Sequence, residues 1–208
     1  TRTPRAVVIT EQALMSNLRG ICQHGLKMHP GDRCASWLPF YHDMGLVGFV
    51  LAPMVAQLSV DFLRTRDFAV RPVQWLRLIS RNRCSLAFSP TFGFKLCALR
   101  VRSADLEMLD LSSWRAAGVG AEMIRPNILK TFTDKFSSCG FDPKAFLPCY
   151  GLAEATLAVT FAELEQGCRS ITVDTRTLSE KGIALRIESE ERKSSEFVNC
   201  GRPMPDHE

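Results

Sequence analysis

No two of the eight cysteines form a CxxC pair, and their spacing is irregular. That speaks against a zinc site and against a disulfide framework, since both depend on spacing. Most of the cysteines lie among apolar residues, where a free thiol behaves as a small hydrophobe. A reducing cytoplasm is the expected compartment. No apolar run is long enough for a membrane span. The nearest, residues 45–60, contains Pro53 and falls short of the ~20 residues that a span needs. A buried helix is expected there instead. No charge of one sign dominates: the net charge is +4 and spread along the chain. Basic and aromatic residues are not interleaved as a nucleic-acid groove requires. Arg64-Thr65-Arg66 reads as solvated surface, so no nucleic-acid partner is expected. No secretory signal and no internal repeat are visible.

What the chain does have is an alternation of short apolar runs with amphipathic stretches. Its 208 residues suffice for one substantial core, or for part of a larger domain. Strands are expected at 7–9, 34–38, 58–62, 84–88 and 114–119. A helix is expected from Thr10 to about residue 26, with Ala13, Leu14, Leu18 and Ile21 at helical spacing. Thr10 can cap it, because its hydroxyl accepts a free N–H of the first turn. Further helices are expected from about 45, behind Pro72, over 95–100 and over 128–136. Pro72 suits a first helical turn, and Val73, Leu76 and Ile79 give that helix an apolar face. Strands alternating with helices predict an α/β fold, a mainly parallel sheet flanked by helices. Residues 162–199 differ. They are charge-dense, above all at 188–193, and read as short strands and exposed loop.

Three segments carry chemistry. Tyr150-Gly151-Leu152-Ala153-Glu154-Ala155-Thr156 follows the apolar Phe146-Leu147-Pro148-Cys149 and reads as strand, tight turn, helix. α/β proteins place ligand chemistry at the carboxyl ends of strands. Gly151 lets the backbone approach a ligand closely. Glu154, three positions on, can hold a metal bound to phosphate oxygens. A glutamate near a helix start is also simply favourable there. The companions are Trp37-Leu38-Pro39-Phe40-Tyr41-His42-Asp43-Met44-Gly45-Leu46 and Gly118-Val119-Gly120-Ala121-Glu122.

Together these segments resemble the adenylate-forming superfamily, and within it the fatty acyl-AMP ligases. The resemblance runs over essentially the whole chain. It implies part of the N-terminal, AMP-binding domain over 1–208, with 162–199 as a subfamily insertion. It also implies ATP-dependent conversion of a medium- or long-chain fatty acid to acyl-AMP, with pyrophosphate released. The acyl group would pass to the phosphopantetheine arm of an acyl carrier protein. ATP and Mg²⁺ are the implied cofactors. By the same resemblance Glu154 is the Mg²⁺ ligand. Tyr150 lies against the adenine, and Gly151, Leu152 and Ala153 continue that nucleotide segment. Ala153 stands where many relatives have a threonine that contacts the α-phosphate; Thr156 could supply a hydroxyl instead. Gly120, Ala121 and Glu122 form the opposite wall. Thr1 and Arg5 resemble the end of the phosphate loop, with Arg5 where many relatives carry lysine.

His42 would sit between the ATP site and an acyl tunnel, orienting the carboxylate or gating the tunnel. A carboxylate nucleophile has no proton to lose, so His42 is not read as a general base. Asp43 could fix the His42 tautomer or cap the following helix. Tyr41, Asp43, Gly45, Ser89, Thr91, Phe92 and Met123 are the candidate acyl-pocket walls, with plain core packing as the alternative. A twelve-carbon tail would supply on the order of 9 kcal/mol gross, at roughly 0.8 kcal/mol per CH₂, before ordering costs. Two other readings stay open: an acyl-CoA ligase, and a non-catalytic nucleotide- or lipid-binding module. The abrupt ends read as those of a piece of a longer enzyme. Alone, the piece is expected to have little or no adenylation activity.

Overall fold

The structure is a computed structural model that describes residues 6–187 and 194–205. Residues 7–9, expected as a buried strand, are exposed and pair with no strand among the described residues. A β-branched run becomes a strand only where a ladder partner exists. Helix α1 (Glu11–Arg19) begins where Thr10 Oγ1 accepts from the Ala13 N–H at 3.1 Å. It buries Asn17 and Leu18 but leaves Ala13 exposed, then widens into a π-helical segment, Gly20–Gly25. Strand β1 (Arg33–Ser36) follows. One continuous helical stretch comes next: α2 (Asp43–Leu46), a second π-helical segment (Val47–Leu51) and α3 (Ala52–Val55).

Strand β2 (Ser59–Phe62) leads to α4 (Thr65–Val70) and α5 (Val73–Asn82), with Pro72 as the cap of α5 and Trp75, Leu76 and Ile79 buried beneath it. Then come β3 (Leu86–Ser89), α6 (Thr91–Arg100), α7 (Ser103–Leu106), β4 (Ala116–Val119) and α8 (Pro126–Phe136). The chain closes with β5 (Phe146–Gly151), β6 (Ala158–Phe161), β7 (Ser170–Asp174), α9 (Thr175–Lys181), β8 (Ser194–Val198) and β9 (Arg202–Pro203).

The strands form a sheet in the order β2-β1-β3-β4-β5-β6-β9. Its β2-to-β5 part is parallel throughout, as the βα alternation requires, because parallel neighbours need a crossover. From β5 onward the pairing is antiparallel. Strands β7 and β8 form a separate hairpin. Helix α9, inside the segment expected to be strands and loop, is capped by Asp174 Oδ1 on the Thr177 N–H (2.6 Å) and ended by Gly182 at φ 66°. The charge-dense residues 188–193 lie outside the described residues.

The core is aromatic. Trp75 packs edge-on against Trp114 at 5.0 Å, and Phe94 meets Phe132 and Phe146 at 5.2 and 5.3 Å. Each such pair adds ~0.5–1.5 kcal/mol beyond its buried area. This cluster draws α5, α6 and α8 onto the sheet. The leading ends of the parallel strands are tied by a polar row. Asp32, just before β1, accepts from Arg115 Nε (2.8 Å) and Nη2 (2.5 Å) and from Ser85 Oγ (2.6 Å). Ser85 and Arg115 stand just before β3 and β4. All eight cysteines are free thiols. No helix among the described residues is long and apolar enough to cross a membrane.

Candidate active site

The trailing ends of β4 and β5 and the start of the α2 stretch enclose one apolar cavity of about 170 Å³. Five of the residues singled out from sequence line it: His42, Asp43, Ala121, Tyr150 and Gly151. The rest of the wall is apolar. Ile21 comes from the first π-helical stretch and Leu26 caps its end, Gly48 and Phe49 come from the second, Leu86 and Phe88 from β3, and Phe161 from β6. Those wall residues are what the sequence could not single out, because a lining phenylalanine and a core phenylalanine look alike.

The Met44 N–H at the start of α2 donates to Asp43 Oδ1 at 2.7 Å and to His42 Nδ1 at 3.2 Å. His42 Nδ1 also lies 2.7 Å from Asp43 Oδ1. Asp43 therefore caps the helix, one of the two roles its sequence position leaves open.

Behind Gly151 the sequence predicts a helix. The structure has a single 3-10 turn, Ala153–Ala155, and then the antiparallel return strand β6. The reversal is made by Thr156, at φ 72° and ψ −58°, whose neighbours close a γ-turn: the Leu157 N–H donates to Ala155 O at 2.9 Å. A β-branched residue there carries strain of ~1–3 kcal/mol. The hairpin is also tight. An added Cβ at Gly151 would stand 2.0 Å from Leu157 O, so glycine is required by chain against chain rather than by a ligand. The register shifts between Tyr150 and Gly151, a bulge of the kind that re-aims side chains next to sites.

Glu154 stands on this turn, exposed, with no hydrogen bond or ion pair among the described residues. A lone carboxylate free for a ligand, beside a cavity, fits Mg²⁺ shared with phosphate oxygens. Tyr150 is half-exposed at the cavity edge, and Ala153 is exposed beside Glu154. Thr156 is buried. Ala121 follows the fully buried Gly120 with φ 64°. Gly120 allows β4 to approach β5: a Cβ there would lie 2.7 Å from Cys149 O.

The remaining candidates lie elsewhere. Glu122 Oε1 accepts from the Phe92 N–H at 2.7 Å, capping α6, whose start therefore lies ahead of the expected 95. Thr91 is buried and donates to Met123 O at 3.4 Å; Ser89 is buried and donates to Pro90 O at 2.8 Å. Tyr41 and Met123 are exposed. An added Cβ at Gly45 would stand 2.1 Å from Pro39 O. None of Tyr41, Gly45, Ser89, Thr91, Phe92 and Met123 lines the cavity. Thr1 and Arg5 lie outside the described residues. Cys149, which does line it, is held neutral: burial pushes its thiol up to about 12. A neutral thiol is a poor nucleophile, so Cys149 is wall rather than acyl acceptor.

Residues 1–208 match the AMP-binding enzyme family over the entire chain. A putative acyl-CoA synthetase of Caulobacter vibrioides is 46% identical over 207 residues, which are 100% of this chain and 36% of that protein. The medium-chain-fatty-acid–[acyl-carrier-protein] ligase TtuA of Teredinibacter turnerae is 39% identical over 201 residues, 97% of this chain and 31% of that one. Among solved structures, one from a study of fatty acyl-adenylate ligases of E. coli and L. pneumophila superposes with a TM-score of 0.96 at 54% identity, covering 99% of this chain and 37% of its own. The L. pneumophila fatty acyl-adenylate ligase in complex with acyl adenylate and pyrophosphate gives 0.93 at 32% identity, covering 98% and 35%. The chain therefore spans about a third of the length of the relatives it matches.

Proposed function

Because this chain belongs to the AMP-binding enzyme family, we propose that the full-length protein joins a fatty acid to AMP from ATP. The carboxylate attacks the α-phosphorus in line and pyrophosphate leaves. The observation that carries this reading is the meeting of two chemistries at one place. An apolar cavity opens at a strand-end rim bearing His42, Asp43, Ala121 and Tyr150, and a free carboxylate, Glu154, stands on the adjoining turn. Positioning and electrostatics supply most of the rate in such a transfer.

The roles divide accordingly. Glu154 would hold Mg²⁺, which when bound neutralises phosphate charge. Tyr150, Gly151, Leu152, Ala153 and Thr156 would flank the nucleotide on one side, and Gly120, Ala121 and Glu122 on the other. His42, on the cavity rim 2.7 Å from Asp43 Oδ1, would orient the reacting end of the acid. The apolar wall would take the tail. An engineered cavity of about 150 Å³ holds one benzene, so this one takes roughly half of a twelve-carbon chain. A longer tail needs the wall to open, or further residues of the full-length protein.

An acyl carrier protein is the proposed acceptor, on the strength of the Teredinibacter relative's name and of a similarly named Moorena producens ligase, 32% identical. Similarity to the Caulobacter synthetase favours the second reading, transfer to CoA. Mass spectrometry separates them. The full-length protein is incubated with ATP, Mg²⁺ and dodecanoate, with and without CoA, beside the 208-residue chain. Acyl-AMP accumulating in the presence of CoA is the expected result, with little or none from the chain alone. Conversion to acyl-CoA moves the protein to the second reading. No adenylate from the full-length protein leaves a binding module and ends the proposal.

A further inference from the structure

Asn17 is polar, 1% exposed, and its side-chain amide bonds backbone groups about 140 residues away in sequence. It projects from the last turn of α1 onto the hairpin that carries Glu154. Its Nδ2 donates to Ala158 O at 2.7 Å and to Ala155 O at 3.1 Å, and its Oδ1 accepts from the Ala158 N–H at 3.2 Å. Ala158 is thus bonded on both its N–H and its C=O by one side-chain amide, as a neighbouring strand would bond it. No strand among the described residues does so on that side. Strand β9 pairs with Thr160 and Phe161 of β6, and the Met204 N–H just beyond it reaches Val159 O at 2.9 Å, one residue short of Ala158. Asn17 stands in for the missing end of the ladder.

The other contact bears on the chemistry. Ala155 O is the oxygen that closes the strained γ-turn at Thr156, where it accepts from the Leu157 N–H. Asn17 therefore grips the turn at the residue after Glu154 and again where β6 begins. Glu154 itself has no partner among the described residues to fix it. The backbone beneath it is what sets where its carboxylate stands.

We propose that Asn17 is a positioning residue for Glu154: it acts at a distance on the phosphate side of the reaction by holding the turn. The inference rests on the adenylation reading. It explains why a fully satisfied amide is buried here, where an apolar residue would pack at lower desolvation cost. Isosteric aspartate cannot replace it. It brings no donor, and its carboxylate would face Ala155 O and Ala158 O.

The test is a double-mutant cycle on the full-length enzyme between Asn17→Ala and Glu154→Gln, read as kcat/KM for MgATP and as the Mg²⁺ midpoint, the Mg²⁺ concentration that gives half of the rise in melting temperature produced by ATP. Partners that orient a metal ligand typically matter ~10–100-fold. Asn17→Ala is expected to raise the Mg²⁺ midpoint by ~10-fold or more, with the fatty-acid KM unchanged. In the Glu154→Gln background, Asn17→Ala should add less than about threefold, because it acts only through the carboxylate already removed. Asn17→Ser, which keeps one hydroxyl donor, serves where Asn17→Ala folds poorly, and should give an intermediate midpoint. An unchanged Mg²⁺ midpoint in a folded variant overturns the proposal. So do independent, multiplicative effects, and so does failure of both variants to fold, which makes Asn17 a residue of the fold alone. A wild-type enzyme that forms no adenylate fails the functional reading instead.

Discussion

The Glu154→Gln substitution is expected to lower kcat/KM for acyl-AMP formation by the full-length protein by about 100-fold or more, with its melting temperature unchanged. The size follows from the role. Losing one preorganised electrostatic group at the site of developing charge costs ~10²–10³. The unchanged stability follows from the surroundings. Glu154 is exposed, has no partner among the described residues, and is replaced by a side chain of equal length. Surface changes of this kind stay within about 0.5 kcal/mol. Pyrophosphate release, followed across a Mg²⁺ titration, checks it. Added Mg²⁺ should recover part of the rate, since the phosphates still bind the ion. A rate within threefold of wild type would remove Glu154 from the mechanism.

The second large effect is on stability. Asp32→Asn is expected to destabilise the fold by ~3–5 kcal/mol, because it strands the Arg115 guanidinium behind the sheet. The Asp32 side chain is 1% exposed and the Arg115 side chain 26%. Burial alone would raise the Asp32 pKa. Hydrogen bonds from Arg115, Ser85 and the His29 N–H, with the Arg115 charge, outweigh it and hold the carboxyl below its ordinary range. A carboxyl lowered on folding contributes stability that is full above its unfolded pKa, about 3.9. That contribution is lost as pH falls through the folded value. Wild type and Asp32→Asn should therefore differ most at neutral pH and converge as pH drops below about 4. Urea unfolding at pH 7, 5 and 3 measures this. Equal stability loss at all three pH values would show that the carboxylate charge is not what Asp32 contributes. The double variant Asp32→Asn with Arg115→Met should lose less than the two single losses summed, since no charge is left unpaired.

The parallel half of the sheet was open to sequence reasoning because its signals are local. Apolar runs such as Leu86–Ser89 and the spacing of Trp75, Leu76 and Ile79 report strand and helix without reference to distant residues. The Tyr150 segment marked the strand end for the same reason. The turn after it was not readable. Ala153, Glu154 and Ala155 are good helix formers, and nothing in Thr156 announces a positive φ that β-branched residues avoid. Only the antiparallel return, held from α1 by Asn17, explains it. Helix α9 had local marks, Asp174 before it and Gly182 after it. With none of its residues buried, it offered no apolar period to connect them. The cavity was the least legible part, since its walls come from four strands and two helical stretches that only the fold brings together.

Those two stretches share the unusual π-helical hydrogen-bonding pattern, with Leu26 N bonded to Ile21 O five residues back at 2.9 Å. A turn of that kind holds one residue more than an α-turn. Each residue along a helix rotates the next side chain by about 100°, so each widened turn resets the angular phase of everything beyond it. The face carrying Met44 and Gly45 is thereby brought out of step with the face carrying Ala52 and Pro53. The shape of the cavity is therefore written partly in residue count rather than residue kind. Deleting a single residue between 47 and 51 would rephase one wall against the other, even with every lining side chain retained.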